Sequence, residues 1–191
     1  MADQRKQQIV KAAVKRFARH GSGKTTLEEI ARDIRIGKAT IYHYFNSKDE
    51  LFYSAIEWEV TQFINDIKTI FNNAELDVSA RLLEYLKYKE QINNKYKLLF
   101  NHLLKLIEDD SLEIEKEIIR SMLIKEEEIV KLVLSSIYSS RLEGMNESLP
   151  NFIVTTSWGS LFGSRIKNIF YPEKNFDSHE FQSKSLGSII S

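Results

Sequence analysis

The chain has 191 residues, 42% of them hydrophobic, which is enough to bury a sizeable core in one or two domains. It contains no cysteine, so disulfides, thiolate metal sites and cysteine nucleophiles are excluded. The start, MADQRKQQ, is too polar for a signal peptide, and no segment reaches the ~18 consecutive apolar residues needed to cross a bilayer. We therefore expect a cytoplasmic protein with no membrane partner.

The formal net charge is zero, but the charges are unevenly distributed along the chain. Residues 1–48 contain 11 Lys and Arg against 4 Asp and Glu, whereas the rest of the chain contains 16 against 23. A basic segment of this size favours a polyanionic partner, and an acidic remainder keeps DNA off the other surfaces. An ordinary solvated surface would show the same excess, so charge alone does not establish DNA binding.

Apolar residues at helical spacing predict a first helix over about residues 4–19, which ends at Gly21. The loop that follows, within ARHGSGKT, nearly fits the phosphate-binding pattern G-x-x-x-x-G-K-[ST], with Ala18 in place of the first Gly. That pattern needs a buried strand before the loop, and no segment of the chain shows strand periodicity. A nucleotide-using enzyme is therefore a weak alternative.

Residues 26–45 predict two short helices joined by a tight turn. Leu27, Ile30 and Ile34 give the first helix one apolar face, and a capping box starting at Thr25 or Thr26 begins it. The second helix runs from Lys38 to about Phe45 and buries Ile41 and Phe45. Five of its other residues then face largely outward, and all five are polar or aromatic: Lys38, Thr40, Tyr42, His43 and Tyr44. A short exposed helix with such side chains is typical of one that enters the major groove of DNA.

The same segment resembles the TetR family of bacterial transcriptional regulators, which carries a phrase close to TT-x-x-x-IA-x-x-x-GVS-x-x-T-[LI]-Y-x-[HY]-F-x-[SN]-K-x-x-L. The matching residues are Thr25, Thr26, Ile30, Ala31, Thr40, Ile41, Tyr42, Tyr44, Phe45, Ser47, Lys48 and Leu51. Three positions depart from the family: Ser22 replaces an aromatic residue, Arg35 a Gly and Gly37 a Ser. Gly is an acceptable N-cap. A position that prefers Gly points to positive φ, which costs another residue roughly 1 kcal/mol.

The resemblance implies a DNA surface around the second helix. We assign base contacts to Thr40, Tyr42 and His43, with Lys38 and Tyr44 divided between bases and phosphates. Thr26, Arg35 and Lys48 are assigned to the DNA backbone. In the family the lysine at the position of Lys48 lies near a phosphate, together with the N-terminus of the next helix. Gly37 and Ala39 complete the predicted surface.

A capping box at Ser47–Glu50 predicts the start of a long helix that continues to Phe71. Further helices are predicted near residues 79–91, 95–107, 112–142, 149–171 and 176–189. The acidic run KEEE at 125–128 is interpreted as a solvated face. The fold class is therefore all-α, with about nine helices. It comprises a three-helix bundle with a helix-turn-helix at residues 1–48 and a larger helical dimerisation and ligand-binding body at 49–191.

The helix near 149–171 is apolar nearly all round and has small residues at spacing four, which permit close packing of another helix. With the last helix it is expected to form a homodimer, as the resemblance also implies. The predicted interface residues are Gly159, Phe162, Gly163, Ile166, Phe170 and Phe181. Burial within one subunit is the alternative.

Signals for a small-molecule site are weak, although family members commonly bind an effector between the body helices. The candidate pocket residues are Tyr85, Tyr88, Asn101, His102, Thr155 and Trp158, each of which ordinary packing would also explain. His102 has no second ligand at metal-binding spacing, and no arrangement of Ser, His and Asp suggests an active site. We expect no metal, no cofactor and no enzyme activity.

These features predict a sequence-specific DNA-binding transcriptional regulator. It would be a repressor that a small-molecule effector releases from a palindromic operator in double-stranded DNA. The alternative from another class is a helical protein-interaction module that does not bind DNA.

Overall fold

The computed structural model describes residues 2–108, 112–138 and 148–170, with side chains at 3–106, 112–135 and 148–162. Within these ranges the chain forms helices and no strand, which confirms the all-α prediction. The helices are α1 (Ala2–His20), α2 (Leu27–Asp33), α3 (Lys38–Tyr44), α4 (Lys48–Phe71), α5 (Val78–Glu90), α6 (Ile92–Lys95), α7 (Lys97–Glu108), α8 (Glu113–Tyr138) and α9 (Ser148–Phe170). The helix predicted near 176–189, with Phe181, lies outside the described residues.

The described residues divide into two compact units. Unit 1 contains those up to Phe63 together with those of Asn93–Arg120, and unit 2 contains Ile64–Ile92 together with those from Ser121 onward. Helix α4 contributes residues to both units. The short helix α6 was not predicted, because its four residues are too few to show a periodic pattern.

In unit 1 the core of the amino-terminal helices is apolar and closed. Helix α2 packs on both α1 and α3. Helix α3 has two buried anchors, Ile41 and Phe45, which are 0% and 1% exposed. Burying both side chains contributes roughly 3–6 kcal/mol, and it confirms the predicted inward face. The orientation of α3 is thereby fixed by its own sequence.

The turn between α2 and α3 is a Schellman motif. The Ile36 N–H donates to the Ala31 carbonyl at 3.0 Å, and the Arg35 N–H donates to the Arg32 carbonyl at 3.2 Å. Arg35 adopts φ 55°, so the positive φ suggested by the family's Gly at this position is confirmed. Gly37 is the N-cap of α3, with extended backbone and no side-chain cap.

Helix α7 also packs against α1 in unit 1, a contact that the sequence did not suggest. An aromatic series links the two helices through α4. The Phe52 ring lies edge-on to Phe17, with centroids 5.2 Å apart, and to His102, with centroids 5.7 Å apart. His102 is buried, its Nε2 has no hydrogen-bond partner, and burial lowers its pKa to about 4. This histidine is a neutral member of the core.

A buried carboxylate holds the start of α7. The backbone N–H of Leu99 donates to Glu59 of α4 at 2.7 Å, which satisfies one of the free amides at the helix N-terminus. Burial raises the pKa of Glu59 to about 7, although the backbone N–H groups of Leu99 and Leu98 partly oppose the shift. Helix α7 is thus tied to α4 by a polar contact as well as by packing.

His102→Leu is expected to reduce the loss of stability in acid. An unfolded histidine gains a proton near pH 6.5, whereas native His102 stays neutral down to about pH 4. Between these values the unfolded state binds more protons, so lowering the pH destabilises the wild type. By pH 5 the loss reaches about 2 kcal/mol. The free energy of unfolding, measured in urea at pH 8 and pH 5, should therefore fall by about 2 kcal/mol less in the variant than in the wild type. The same substitution at exposed His20 is the control, and equal pH slopes for the wild type and His102→Leu would refute the prediction.

Arg35→Gly and Arg35→Ala form a matched pair that measures the strain in the turn. Both substitutions remove the charged side chain, but only Ala keeps the Cβ that crowds a residue at positive φ. We expect the Gly variant to be about 1 kcal/mol more stable than the Ala variant in denaturant unfolding. If the Ala variant is the more stable, Arg35 does not hold positive φ in solution.

Candidate nucleic-acid interface and buried polar cluster

The outer face of α3 is accessible to solvent. Tyr42 is 49% exposed, Lys38, Ala39 and His43 are also exposed, and Thr40 and Tyr44 are half-buried. The His43 and Tyr44 rings lie edge-on to each other, with centroids 5.1 Å apart. This face therefore offers hydroxyl, imidazole and ammonium groups, together with ring edges, which are the kinds of side chain that read base edges in a groove.

Lys38 already has partners within the helix-turn-helix bundle predicted at residues 1–48, which we call the head. Its ammonium forms an ion pair with Glu28 of α2 and lies 5.5 Å from the centroid of the Tyr42 ring. The hydrogen bond from Lys38 lowers the pKa of Glu28, and Glu28 in turn raises the pKa of Lys38. Because the pair is exposed, its attraction is weak and screened by salt. A phosphate could therefore take the place of Glu28 at the Lys38 ammonium.

The residues assigned to the DNA backbone lie at three helix boundaries. Thr26 is the N-cap of α2: its hydroxyl accepts from the Glu29 N–H at 3.3 Å, and its N–H donates to the Glu29 carboxylate at 2.9 Å. Arg35 is exposed in the turn. Lys48 begins α4 and donates to the Ser22 carbonyl at 2.9 Å. One ammonium hydrogen of Lys48 is thus used to fix the loop, and an ammonium has three.

The capping box predicted at Ser47 is only partly present. The Ser47 hydroxyl accepts from the Glu50 N–H at 3.0 Å, as expected. The Glu50 carboxylate, however, accepts from the backbone N–H of Asn46 at 2.7 Å and not from that of Ser47. Its negative charge still lies in the first turn of α4, where it is stabilised by the helix dipole.

A further ion pair braces the head and was missed in the sequence. Arg16 of α1 donates two hydrogen bonds to Asp33 at the end of α2, at 2.6 and 2.8 Å. The hydrogen bond from Arg16 lowers the pKa of Asp33. The two residues are 17 positions apart, so no local spacing rule could pair them. The contact fixes the orientation of the helix that supports α3.

The candidate pocket residues do not form one group. Tyr88 donates to Asp66 at 2.6 Å, and Asn101 and Thr155 are exposed. His102 and Asn101 belong to unit 1, whereas Tyr85 and Trp158 belong to unit 2. Only Tyr85 and Trp158 converge on a common partner, which is the carboxylate of Glu126.

Glu126 is the centre of a buried polar cluster in unit 2. Its Oε1 accepts from the Tyr85 hydroxyl and from the Lys89 ammonium, each at 2.6 Å, and its Oε2 accepts from the Trp158 indole N–H at 2.8 Å. Lys89 and Glu126 are 1% and 0% exposed at their side chains. The Lys89 ammonium also lies over the Trp158 ring, 3.4 Å from its centroid.

The interpretation of the run at 125–128 as a solvated face was wrong for Glu126. Lys125 and Glu128 are exposed and Glu127 is half-buried, but Glu126 points into the core. Successive residues on a helix are about 100° apart, so four in a row cannot share one face. Lys89 was also missed, because a buried lysine is rare and nothing in the local sequence distinguishes this one.

The predicted interface residues all lie on or beyond α9. Gly159 is exposed and Phe162 half-buried. Gly163, Ile166 and Phe170 lie on α9, but their side chains are outside the described set, as is all of Phe181.

In the described part of the chain, no helix is long and apolar enough to span a bilayer. The same residues contain no cluster of three potential metal ligands of the His, Cys, Asp or Glu type.

Comparison with known proteins agrees with the geometry of the head. Residues 9–55 match the family model of bacterial regulatory proteins, tetR family. An HTH-type transcriptional regulator of Bacillus subtilis strain 168, YerO, is 35% identical over 68 residues. That match covers 36% of this chain, and the chain spans only 24% of the length of that relative.

Similarity to solved structures extends over nearly the whole chain. A transcriptional regulator from Cytophaga hutchinsonii ATCC 33406 is 31% identical, with 96% of this chain and 93% of that chain covered and a TM-score of 0.65. The regulator FadR from Bacillus subtilis, solved in complex with stearoyl-CoA, is 19% identical, covers 96% of each chain and has a TM-score of 0.65. The latter likeness shows the fold alone. Because the head matches the family model and the similarity at 31% identity extends over nearly the whole chain, the chain belongs to the TetR family of bacterial regulatory proteins.

Proposed function

We propose that the chain is a sequence-specific DNA-binding transcriptional regulator that places α3 in the major groove. The observation that carries the proposal is the two-sided character of α3. Ile41 and Phe45 are fully buried while the opposite face, including Tyr42, is open to solvent. A helix anchored on one side and polar on the other, supported by a second helix across a tight turn, suits groove binding.

Within this proposal, Thr40, Tyr42 and His43 contact bases, and Lys38 and Tyr44 contact bases or phosphates. Thr26, Arg35 and Lys48 contact the DNA backbone, with Gly37 and Ala39 close to the duplex. Residues 1–48 would act as the DNA-binding head and 49–191 as the body. The helix-turn-helix is retained despite Arg35, because Arg35 adopts the φ that the turn requires. An interaction module without DNA binding is therefore the weaker alternative.

We further propose a homodimer that binds a palindromic operator. One short recognition helix supplies few base contacts, and two heads one helical turn apart on the duplex would multiply them. Support for an interface comes from unit 2, where Ile124, Leu132 and Phe152 are 51%, 71% and 53% exposed. Large apolar side chains exposed on neighbouring helices favour a protein partner. The proposed contact is between the two C-terminal helices predicted from the sequence, near residues 149–171 and 176–189, and of these three side chains only Phe152 lies in that region.

The proposed mode of action is repression relieved by a small molecule bound in the body. The FadR protein with the same fold was solved with stearoyl-CoA, which supports a ligand-responsive body without naming the ligand here. A ligand that prefers one conformation shifts the population toward it. Helix α4, which contributes to both units, would carry the change to the heads.

The direct test is selection of bound duplexes from a random pool, followed by binding measurements on the selected sequence. The proposal expects enrichment of an inverted repeat and binding as a dimer. Recovery of no sequence preference, with equal affinity for random duplexes, would support the interaction-module alternative.

Tyr42→Ala is expected to weaken binding to the selected duplex by roughly 1–3 kcal/mol. Because Tyr42 is half exposed, the thermal midpoint of the variant should differ little from that of the wild type. Tyr42→Phe separates the ring from the hydroxyl, and fluorescence anisotropy with labelled DNA measures both variants. Unchanged affinity for Tyr42→Ala would remove this residue from the interface.

Lys48→Met is expected to weaken specific and random DNA about equally and to lower the slope of log affinity against log salt by about 1. Lys68→Met is the matched control, since Lys68 is exposed on the same helix, α4, but lies in unit 2. The two variants should differ in salt slope. If both variants have the same salt slope as the wild type, Lys48 makes no phosphate contact.

A further inference from the structure

The buried pair of Lys89 and Glu126 is not explained by stability alone. Taking two charges out of water costs free energy that their attraction rarely exceeds, and apolar replacements of such pairs are often neutral or stabilising. Burial lowers the pKa of Lys89 to about 8 even though Glu126 lies 2.6 Å away. The loss of hydration therefore outweighs the attraction of the carboxylate for this ammonium.

The carboxylate remains well held without the lysine. Tyr85 donates to Oε1 and Trp158 donates to Oε2. Both donors are neutral. If the ammonium of Lys89 moved away, Glu126 would keep two hydrogen bonds and lack only a compensating positive charge. The site that remains is a fixed carboxylate beside an aromatic face.

The ring of Trp158 is turned to favour a cation. Its N–H, which lies in the plane of the indole, points at Glu126, so the face of the ring is left for the ammonium at 3.4 Å from the centroid. The Lys89 ammonium also lies 5.7 Å from the centroid of the Tyr85 ring. A carboxylate next to electron-rich ring faces is the arrangement that binds alkylated ammonium groups.

Lys89 lies near an exposed end of its helix. It is the residue before the last of α5, and the C-cap that follows the helix, Gln91, is exposed. A lysine side chain has a flexible four-carbon stem. If the ammonium reached solvent, it would regain the hydration that burial removes.

We propose that Glu126, Trp158 and Tyr85 form a binding site for the ammonium group of an organic cation, and that Lys89 is an internal occupant of that site. Charge selects the class of ligand. An anion would be repelled by Glu126, and a neutral molecule that displaced Lys89 would leave a buried carboxylate uncompensated, which is strongly unfavourable. An alkylated ammonium replaces the charge and packs on the rings.

The cation site is proposed whether or not the chain binds DNA. That its ligand is the effector of a regulator rests on the proposed function. Displacement of Lys89 by an external cation would be the event that a regulator senses, since Lys89 on α5 would lose its contacts with Glu126 on α8 and with Trp158 on α9.

The experiment uses the Trp58→Phe chain, in which Trp158 is the only tryptophan. Its fluorescence is titrated with benzyltrimethylammonium, and with benzyl alcohol and benzoate as neutral and anionic probes of similar size. We expect a saturable change with the cation alone. Lys89→Met removes the internal competitor, so the affinity for the cation should rise about tenfold or more.

The matched control is the double variant Lys89→Met/Glu126→Gln, which differs from the single variant only in the carboxylate and carries no buried charge at the site. It should fold and should not bind the cation. Lys89→Met alone leaves Glu126 without a counterion, so its thermal midpoint should fall and recover on addition of the cation. Failure of the cation to stabilise Lys89→Met, or equal stabilisation of the double variant, overturns the site.

A second measurement separates the site from its role. Adding the cation to the complex with selected DNA should lower operator affinity in the Trp58→Phe chain and not in the double variant. Saturable binding of the cation without any effect on DNA affinity would uphold the site and overturn only its role as the effector site. Absence of a saturable fluorescence change in both Trp58→Phe and its Lys89→Met derivative would overturn the site whatever the DNA result.

Discussion

The burial of Ile41 and Phe45 is the constraint on which the rest of the head depends. These two side chains lie four residues apart, so they leave the same face of α3 and fix how the helix is rotated about its axis. With both inside, Tyr42 and His43 have to lie on the solvent side. The Schellman turn at Arg35 sets where α3 begins, and the Arg16–Asp33 pair holds the supporting helix. The proposed DNA surface is thus a consequence of apolar packing in the head.

Unit 2 is organised differently, around charge as well as apolar packing. Glu126 receives hydrogen bonds from α5 and α9 through three different side chains. Such a network in a low-dielectric core is strong when every member is satisfied and costly when one is missing. This makes it sensitive to any molecule that supplies or removes a charge.

The sequence predicted those features that arise from local periodicity and from the family phrase. The helical fold, the inward face of α3 and an N-cap at Thr25 or Thr26 follow from residues a few positions apart, and the structure shows that the N-cap is Thr26. The positive φ at Arg35 follows from the Gly that the family has at this position. The missed features join distant residues: Arg16 with Asp33, Lys89 with Glu126, and α7 with α1. Glu126 was misassigned because composition treats a run of charges as one surface, although a helix turns each residue by about 100°. The residues proposed for a pocket do not form one group, because residue type alone does not place a side chain in a shared cavity.

The central claim is that the outer face of α3, with the start of α4, meets DNA while unit 2 does not. Hydrogen–deuterium exchange of the protein with and without its selected duplex tests this most directly, because it reports on backbone amides along the whole chain. We expect added protection over residues 37–50 and none over α5 or the described part of α9. Protection confined to unit 2, with α3 exchanging as in the free protein, would contradict it.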